Sequence, residues 1–279
     1  MTTSVLRVAL VNDVFHTTDA RDRLVRILLS AREQGGDLAL LPELPLNRWA
    51  PTERDARDED AEAPGGPRHQ AQAEAARRAG IALIGGAIVR NPETGRRHNT
   101  ALVFDRGGNL VATYSKLHLP EEDGFWETRH YEQGAEPPAV IDCFPMPIGV
   151  QICSDSHRPE GSHILAALGA EAIMVPRATE PGTIDRWRAV LSANARLTAA
   201  YMLSVTRPEP ALRIPLGGPS LAIGPDGQVL LETTDPLAVV ALDRRTAADA
   251  RRAYPGYLQV RADVYARGWT EVQRKQRRE

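Results

Sequence analysis

Apolar runs and amphipathic stretches alternate from the start of the chain. Residues 5–14 form an apolar run with the length of a strand, and residues 17–36 repeat apolar side chains such as Leu24 and Leu28 at helical spacing. Two glycines close this predicted helix, and the apolar run at 37–43 predicts a buried strand after it. The chain therefore opens with strand, helix and strand.

The same alternation resumes after residue 67. The segment before it, residues 46–67, is polar, charged and rich in turn formers, which predicts an exposed surface loop and no core element. Alternating strands and helices with interspersed hairpins indicate an α/β fold, with one mixed sheet or two sheets covered by helices on the outer faces. The elements predicted after residue 67 are helices over 68–80, 161–170 and 183–200, strands over 81–90, 99–105, 110–119, 171–176 and 201–207, and a hairpin over 219–233.

Length and charge exclude several classes of protein. The 279 residues suffice for one large core, although a division into two domains is also compatible with this length. The net charge is −2 and the basic residues are scattered, apart from the run at 274–278, which we interpret as a solvated tail; we expect no nucleic-acid partner. No apolar stretch reaches the roughly 18 residues needed to span a bilayer, and no export signal is recognisable. We predict a soluble, cytoplasmic protein without a membrane partner.

The two cysteines, Cys143 and Cys153, admit several roles. With so few thiols and no export signal, a disulfide between them is not favoured. The seven histidines are dispersed without the spacing of a zinc site, so we expect no metal. Cys143 follows an apolar run and is expected to pack as a small apolar residue. Cys153 ends a short apolar run and precedes a polar segment, which leaves a packed thiol or a nucleophile.

Charged or reactive residues stand at the ends of several predicted strands. These residues are Glu43, Lys116, Cys153 and Arg177. In layered α/β folds, ligands bind at the carboxyl ends of strands, so these positions are candidates for a site. Taken singly, each is also typical of an ordinary strand terminus.

Three of these strand-end residues carry the chemical groups that hydrolysis of an amide or a nitrile requires. The reaction needs a nucleophile for the carbon, a base that ionises the nucleophile and later activates water, and positive charge for the developing oxyanion. Cys153 can attack, Glu43 can act as the base, and Lys116 can stabilise the oxyanion. We therefore expect these three side chains to lie close together in space.

Three motifs in the order LLPELPL, YSKLHLP and GVQICSDSHRPEG make the chain resemble the nitrilase, or carbon-nitrogen hydrolase, superfamily. The resemblance extends over nearly the whole chain. It implies a four-layer αββα sandwich formed by a single domain over residues 1–279, with a C-terminal tail from about residue 255. It also implies that no metal or organic cofactor is needed and that the outer helices associate into homodimers or larger homo-oligomers.

The resemblance also implies roles for individual residues. Glu43 is expected as the general base, Lys116 as the stabiliser of the tetrahedral intermediate, and Cys153 as the nucleophile that the substrate acylates. The backbone N–H of Ser154 is expected as a second oxyanion donor. Glu127, in the segment GFWETRHYEQG, resembles a second active-site glutamate that orients the lysine and contacts the substrate.

The residues after the cysteine bear on the substrate. The segment SDSHRPEG lacks the Trp-Glu pair typical of true nitrilases, which favours an amide or a carbamoyl compound. N-carbamoyl amino acid hydrolases have an arginine where His157 stands, so Arg158 or Arg177 is the candidate to contact a substrate carboxylate. His157 is interpreted as a substrate contact or a structural residue. Trp49 and Trp126 are candidates to line the pocket, although Trp49 has the alternative of packing its loop.

We therefore predict cysteine-dependent hydrolysis of a non-peptide C–N bond in a small amide or N-carbamoyl compound. The reaction would proceed through a thioester acyl-enzyme and release ammonia. The alternatives are a nitrilase that acts on a C≡N bond, and a non-catalytic oligomeric scaffold or binding member of the fold. The presence of Glu43, Lys116 and Cys153 together favours the hydrolase.

Overall fold

Two β-sheets pack face to face between helices in the computed structural model, which describes residues 5–278. The helices are α1 (Ala20–Glu33), α2 (Pro67–Ala79), α3 (Pro159–Ala167), α4 (Ile184–Thr198), α5 (Arg244–Arg252) and α6 (Ala262–Gln276). The strands are β1 (Val5–Val11), β2 (Leu38–Leu40), β3 (Ala61–Glu62), β4 (Ala82–Arg90), β5 (Arg97–Phe104), β6 (Leu110–Ser115), β7 (Glu121–Glu122), β8 (Phe125–Trp126), β9 (Ile148–Val150), β10 (Ala172–Arg177), β11 (Tyr201–Thr206), β12 (Ser220–Ile223), β13 (Val229–Thr233) and β14 (Leu237–Asp243).

The first sheet has the strand order β14-β1-β2-β4-β5-β6, and β3 also pairs with β4. Its strands β1, β2 and β4 run parallel, and the other long neighbours are antiparallel. The second sheet has the order β13-β12-β11-β10-β9, with β9, β10 and β11 parallel. Because parallel strands present their carboxyl ends at one edge, several predicted site residues are brought to the same end of the sandwich.

The side chains of β1 show how the layers are held together. Leu6, Val8 and Leu10 point into the core between the two sheets, whereas Ala9 and Val11 face the helices α1 and α2. Helices α3 and α4 cover the second sheet through buried residues on their inner faces. This four-layer αββα arrangement confirms the predicted fold class. Each fully buried aliphatic side chain contributes about 1.5–3 kcal/mol relative to exposure.

The prediction of an exposed loop over 46–67 is confirmed for residues 54–59, which are exposed, and wrong for residues 46–51, most of which are buried. Trp49 and Asn47 are buried in this segment, and β3 adds to the edge of β4. The buried Glu62 carboxylate has its partners within the protein: it accepts hydrogen bonds from the backbone N–H groups of Arg68 at 2.9 Å and His69 at 2.8 Å, at the start of α2. Polar composition indicated solvent because the sequence does not show these internal partners.

The structure also tests the predictions made for Cys143 and for the C-terminal segment. Cys143 is exposed, so the expectation that it packs as an apolar residue is wrong, and both it and Cys153 are free thiols. The basic run at 274–278 is exposed as predicted, although α6 continues through Gln276. Among residues 5–278, no helix is both long and apolar enough to cross a membrane.

Candidate active site

A buried ammonium group with two carboxylates forms the centre of the site. Lys116 directly follows β6, and its Nζ donates to Glu43 Oε1 at 2.8 Å and to both carboxylate oxygens of Glu127 at 2.7 Å. All three side chains are fully shielded from solvent. The proximity of Glu43 and Lys116 that the sequence predicted is therefore confirmed, and Glu127 joins them.

Glu43 is held by only one of its two carboxylate oxygens. Asn99, in β5, donates from Nδ2 to the same Oε1 that Lys116 contacts, at 2.7 Å. Glu43 Oε2 is buried and has no hydrogen-bond partner among residues 5–278. The carboxylate is thus fixed in orientation while one oxygen is available to accept a proton.

Cys153 begins a short helical turn, Cys153–His157, shortly after the end of strand β9. Its φ of +49° lies in the left-handed region, which non-glycine residues adopt rarely and at a cost of about 1–3 kcal/mol. The side chain is 5% exposed, and its Sγ donates to the carbonyl oxygen of Ala178 at 3.7 Å. The surrounding structure therefore holds the thiol in one orientation at the end of the sheet.

Asp155 joins the loop of the thiol to the segment after β6. Its buried carboxylate accepts hydrogen bonds from the backbone N–H groups of Leu117 at 3.1 Å, His118 at 2.9 Å and Ile152 at 3.1 Å. The hydroxyl of Tyr114 donates to it at 2.8 Å, and His118 Nδ1 lies 2.8 Å away. One carboxylate thereby fixes the relative position of the lysine and cysteine segments.

Arg207 fixes the loop that carries Glu43. Its guanidinium, fully buried at the end of β11, donates to the carbonyl oxygens of Glu43 at 2.9 Å, Leu44 at 2.7 Å and Asn47 at 2.8 Å. Its Nε pairs with Glu209 at 2.5 Å. Leu44 has a φ of +49°, so this arginine, which follows a strand of the second sheet, stabilises a strained turn that follows β2 of the first sheet.

Burial and charge set the protonation of the reactive groups. Burial alone would lower the pKa of Lys116, but the Glu127 and Glu43 carboxylates outweigh it and raise that pKa, so the amine stays protonated. Burial raises the pKa of Glu127, but the Lys116 ammonium opposes this rise and donates to both of its oxygens, which favours the ionised carboxylate. Burial, with help from the charge of Glu43, raises the pKa of Cys153 well above its usual value, and Lys116 only partly opposes this. The resting nucleophile candidate is therefore a neutral thiol.

An open cleft of about 360 Å³ lies beside the cysteine loop. Ser154, His157 and Arg158 line it together with His118 and Pro120. Of the predicted substrate contacts, His157 and Arg158 are exposed, while Ser154 is half-buried and its Oγ donates to the carbonyl oxygen of His118 at 2.5 Å. The structure thus brings these three predicted residues together at one opening.

His157 also packs against the protein. The edge of its ring meets Trp187, with the ring centroids 4.5 Å apart. Partial burial lowers its pKa, and the charge of Arg186 lowers it further, so the ring is neutral at pH 7. A neutral imidazole at the opening can accept or donate a hydrogen bond.

Arg177 lies inside the protein with its donors engaged. Its Nε donates to Ser204 Oγ at 2.9 Å, and its terminal nitrogens donate to Thr179 and to the carbonyl oxygen of Pro219. The guanidinium lies 5.3 Å from the ring centroid of Trp187, and burial lowers its pKa to about 10. This network favours a structural role over contact with a substrate carboxylate.

The two candidate tryptophans differ in their surroundings. Trp49 is buried, donates from its indole nitrogen to the carbonyl oxygen of Gly124 at 2.9 Å, and meets the ring of Phe125 edge-on. These contacts favour the alternative that Trp49 packs its loop. Trp126 is half-buried at the end of β8, with the Arg54 guanidinium 4.2 Å from its ring centroid.

The model of the carbon-nitrogen hydrolase family matches residues 11–252. The chain belongs to the carbon-nitrogen hydrolase family. The protein is therefore a hydrolase of carbon–nitrogen bonds in the general sense of that family.

Individual relatives within this family are amidases by name. The chain is 31% identical to the chloroplastic omega-amidase of Arabidopsis thaliana over 84% of its own length and 66% of that protein's length. It is 28% identical to omega-amidase NIT2 of Homo sapiens, covering 89% and 92% of the two chains.

A solved structure shows the same fold with a modified cysteine. It is a mutant of the amidase from Nesterenkonia sp. AN1, 25% identical, with a TM-score of 0.75 and coverage of 95% of this chain and 97% of that chain. In that mutant, the acetamide moiety of fluoroacetamide is covalently added at the active-site cysteine.

Sequence reasoning missed several residues of this hydrolase site. Arg207, like Lys116, is a charged residue at the end of an apolar strand. The criterion that selected Lys116 therefore also selects Arg207. Asp155 stands within the cysteine motif as a carboxylate two residues after the thiol. Asn99 gave no signal, because its role depends on a contact across the sheet. Among residues 5–278, no group of three or more His, Cys, Asp or Glu side chains is arranged to hold a metal ion.

Replacing Arg207 by methionine is expected to lower the free energy of unfolding by about 3–5 kcal/mol, because three backbone carbonyls and Glu209 lose a buried charged partner. Urea unfolding measures this change. Arg244→Met is the matched control: Arg244 makes a two-pronged ion pair with Glu171 that is partly exposed, so its loss should cost about 1 kcal/mol or less. Equal losses in the two variants would contradict the assigned role of Arg207.

The thiol of Cys153 is expected to stay protonated up to and beyond the ordinary cysteine pKa of about 8.5, because burial and the Glu43 charge raise its pKa. A pH titration of ultraviolet thiolate absorbance, wild type minus Cys153→Ser, measures this and cancels the signal of Cys143. Thiolate formed by Cys153 at or below pH 7 would show that Lys116 dominates its environment.

Proposed function

We propose that the protein hydrolyses the C–N bond of small amides, including N-carbamoyl compounds, through a thioester at Cys153 and releases ammonia. The observation that carries the proposal is the buried contact of Lys116 with Glu43 and Glu127 beside a buried, oriented thiol. Amidase names among the relatives, and the cysteine adduct in the related Nesterenkonia mutant, support the same chemistry.

In the proposed acylation, Glu43 removes the Cys153 proton as the sulfur attacks the substrate carbonyl carbon. The neutral resting thiol makes this base necessary. Lys116 Nζ and the backbone N–H of Ser154 stabilise the negative oxygen that develops. Glu43 then gives the proton to the nitrogen, the C–N bond breaks, and ammonia leaves a thioester on Cys153.

In the proposed deacylation, Glu43 removes a proton from water, which attacks the thioester carbon. The C–S bond breaks, the sulfur regains a proton, and a carboxylic acid is released. Glu127 orients Lys116 through its two hydrogen bonds in both steps. His157 and Arg158, at the opening beside Ser154, are the proposed contacts for the remainder of the substrate.

The wild-type protein is expected to release ammonia from at least one member of a panel of short primary amides, N-carbamoyl amino acids and nitriles, with the amides or carbamoyl compounds preferred. Cys153→Ala should abolish turnover, and Glu43→Gln should lower kcat by about 10²- to 10⁴-fold without unfolding, because the general base is lost. Mass spectrometry should find an acyl adduct at Cys153.

Cys143→Ala is the matched control, because this second thiol is exposed and lies in a separate cavity. It should keep the wild-type rate. If the wild-type protein releases no ammonia and forms no Cys153 adduct across the whole panel, the hydrolase proposal is wrong and a non-catalytic role replaces it.

We also propose that the chain is a single domain, with a tail from about residue 255, that forms a homodimer or larger homo-oligomer through its outer helices. Apolar side chains are exposed on the α3–α4 layer at Ile164, Leu168 and Leu197. Trp269 of α6 lines a groove of about 420 Å³ together with Ile164. Exposed apolar surface of this kind is typical of an interface between protein chains.

Replacing Leu168 and Leu197 together by lysine is expected to convert the assembly to monomers, because two charges would have to be buried in the apolar contact. Light scattering after size-exclusion chromatography measures the mass. Leu29→Lys, on the α1 layer at the other side of the sandwich, should leave the assembly intact. A wild-type protein that is monomeric at all concentrations would contradict the proposal.

A further inference from the structure

Two buried polar atoms beside the reactive groups have no hydrogen-bond partner within the described part of the chain. They are Glu43 Oε2 and the hydroxyl oxygen of Tyr131. Buried polar atoms without a partner are rare and cost about 1–3 kcal/mol each, so each requires an explanation. The role proposed above for Glu43 explains its free oxygen, and no step so far uses the Tyr131 hydroxyl.

Tyr131 lies against the segments that carry the base and the thiol. Its backbone N–H donates to the carbonyl oxygen of Glu127 at 3.1 Å, one turn earlier. Its ring is 3% exposed and packs in one apolar cluster with Leu44, which follows Glu43, and with Ala178, whose carbonyl oxygen accepts the Cys153 thiol. The ring is therefore held in place without any hydrogen bond from its hydroxyl.

The charges around the Tyr131 hydroxyl keep it neutral. Burial raises its pKa well above the usual value, and the nearby Glu127 and Glu43 carboxylates raise it further, with Arg207 opposing them. The neutral hydroxyl has two lone pairs that accept hydrogen bonds and one proton that it can donate. Because negative groups surround it, a donor group on the substrate fits this position better than an anion.

We propose that the Tyr131 hydroxyl accepts a hydrogen bond from an N–H of the –NH₂ group that leaves the substrate. Lys116 and the Ser154 N–H already serve the carbonyl oxygen, so the nitrogen is the part of a –C(O)NH₂ group that lacks a partner. This inference rests on the proposed function. The hydrogen bond turns the nitrogen lone pair toward the Glu43 oxygen, which holds the proton taken from Cys153. That proton moves to nitrogen as the C–N bond breaks, and neutral ammonia leaves.

Tyr131 therefore recognises the leaving –NH₂ group of the substrate. A primary amide or a terminal carbamoyl group offers N–H donors to the hydroxyl. A nitrile nitrogen and an ester oxygen offer none, so Tyr131 should contribute to selectivity for –C(O)NH₂ over both.

The test compares a short primary amide with the methyl ester of the same acid in Tyr131→Phe. We expect kcat/KM for the amide to fall about twofold to tenfold and kcat/KM for the ester to stay unchanged. The melting temperature should stay the same or rise, because the substitution removes a buried hydroxyl that has no partner. A hydroxyl with a purely structural role would instead lower the melting temperature and affect both substrates alike.

Tyr201→Phe is the matched control. The Tyr201 hydroxyl is also within the protein, but it has a hydrogen-bond partner. It donates to the carbonyl oxygen of Asp243 at 3.1 Å, between β11 and β14. This variant should keep the amide-to-ester ratio of the wild type. An unchanged ratio in Tyr131→Phe, with the wild type active on the amide, overturns the inference alone. A wild type inactive on every amide overturns the proposed function and the inference together.

Discussion

The buried contact between Lys116 and two carboxylates is the constraint on which the rest of the site depends. An ammonium and two carboxylates taken out of water cost several kcal/mol each unless their partners are well placed. The structure meets this condition from separate elements: Lys116 after β6, Glu43 after β2 and Glu127 after β8, with Asn99 of β5 completing the contacts. The first sheet brings the segments of Glu43, Asn99 and Lys116 to one edge, and the folded protein closes the side chains from solvent.

This constraint explains why so many buried polar residues surround the reactive groups. Asp155 fixes the lysine segment relative to the thiol, and Arg207 fixes the strained turn after Glu43. Neither touches Lys116 Nζ. They supply the backbone rigidity that keeps three charged atoms within hydrogen-bond distance, which a buried ion cluster requires and which a flexible loop cannot provide.

Hydrophobic periodicity predicted an α/β fold and the approximate bounds of most long elements, because it reports directly on burial, and the family resemblance implied the αββα sandwich. The sequence predicted Glu43 and Lys116 as neighbours because charged strand ends gather at one edge. It could not predict Asn99, since a polar residue at the start of a strand indicates its partner only once the register is known. Part of the segment 46–67 was misjudged for the same reason: Glu62 is polar, but its partners lie within the protein at the start of α2.

The neutral thiol has a consequence for how charge moves in the proposed reaction. Because Cys153 keeps its proton at rest, the negative charge stays on the carboxylates until a substrate arrives. It then passes from Glu43 to sulfur and on to the carbonyl oxygen next to Lys116, and the total charge of the buried site does not change. The ammonium is already oriented by Glu43 and Glu127, so little reorganisation is needed as the oxyanion forms. The free-energy cost of burying these charges is offset when the protein folds. The Lys116 contacts at this edge of the fold are therefore already in place when the transition state forms.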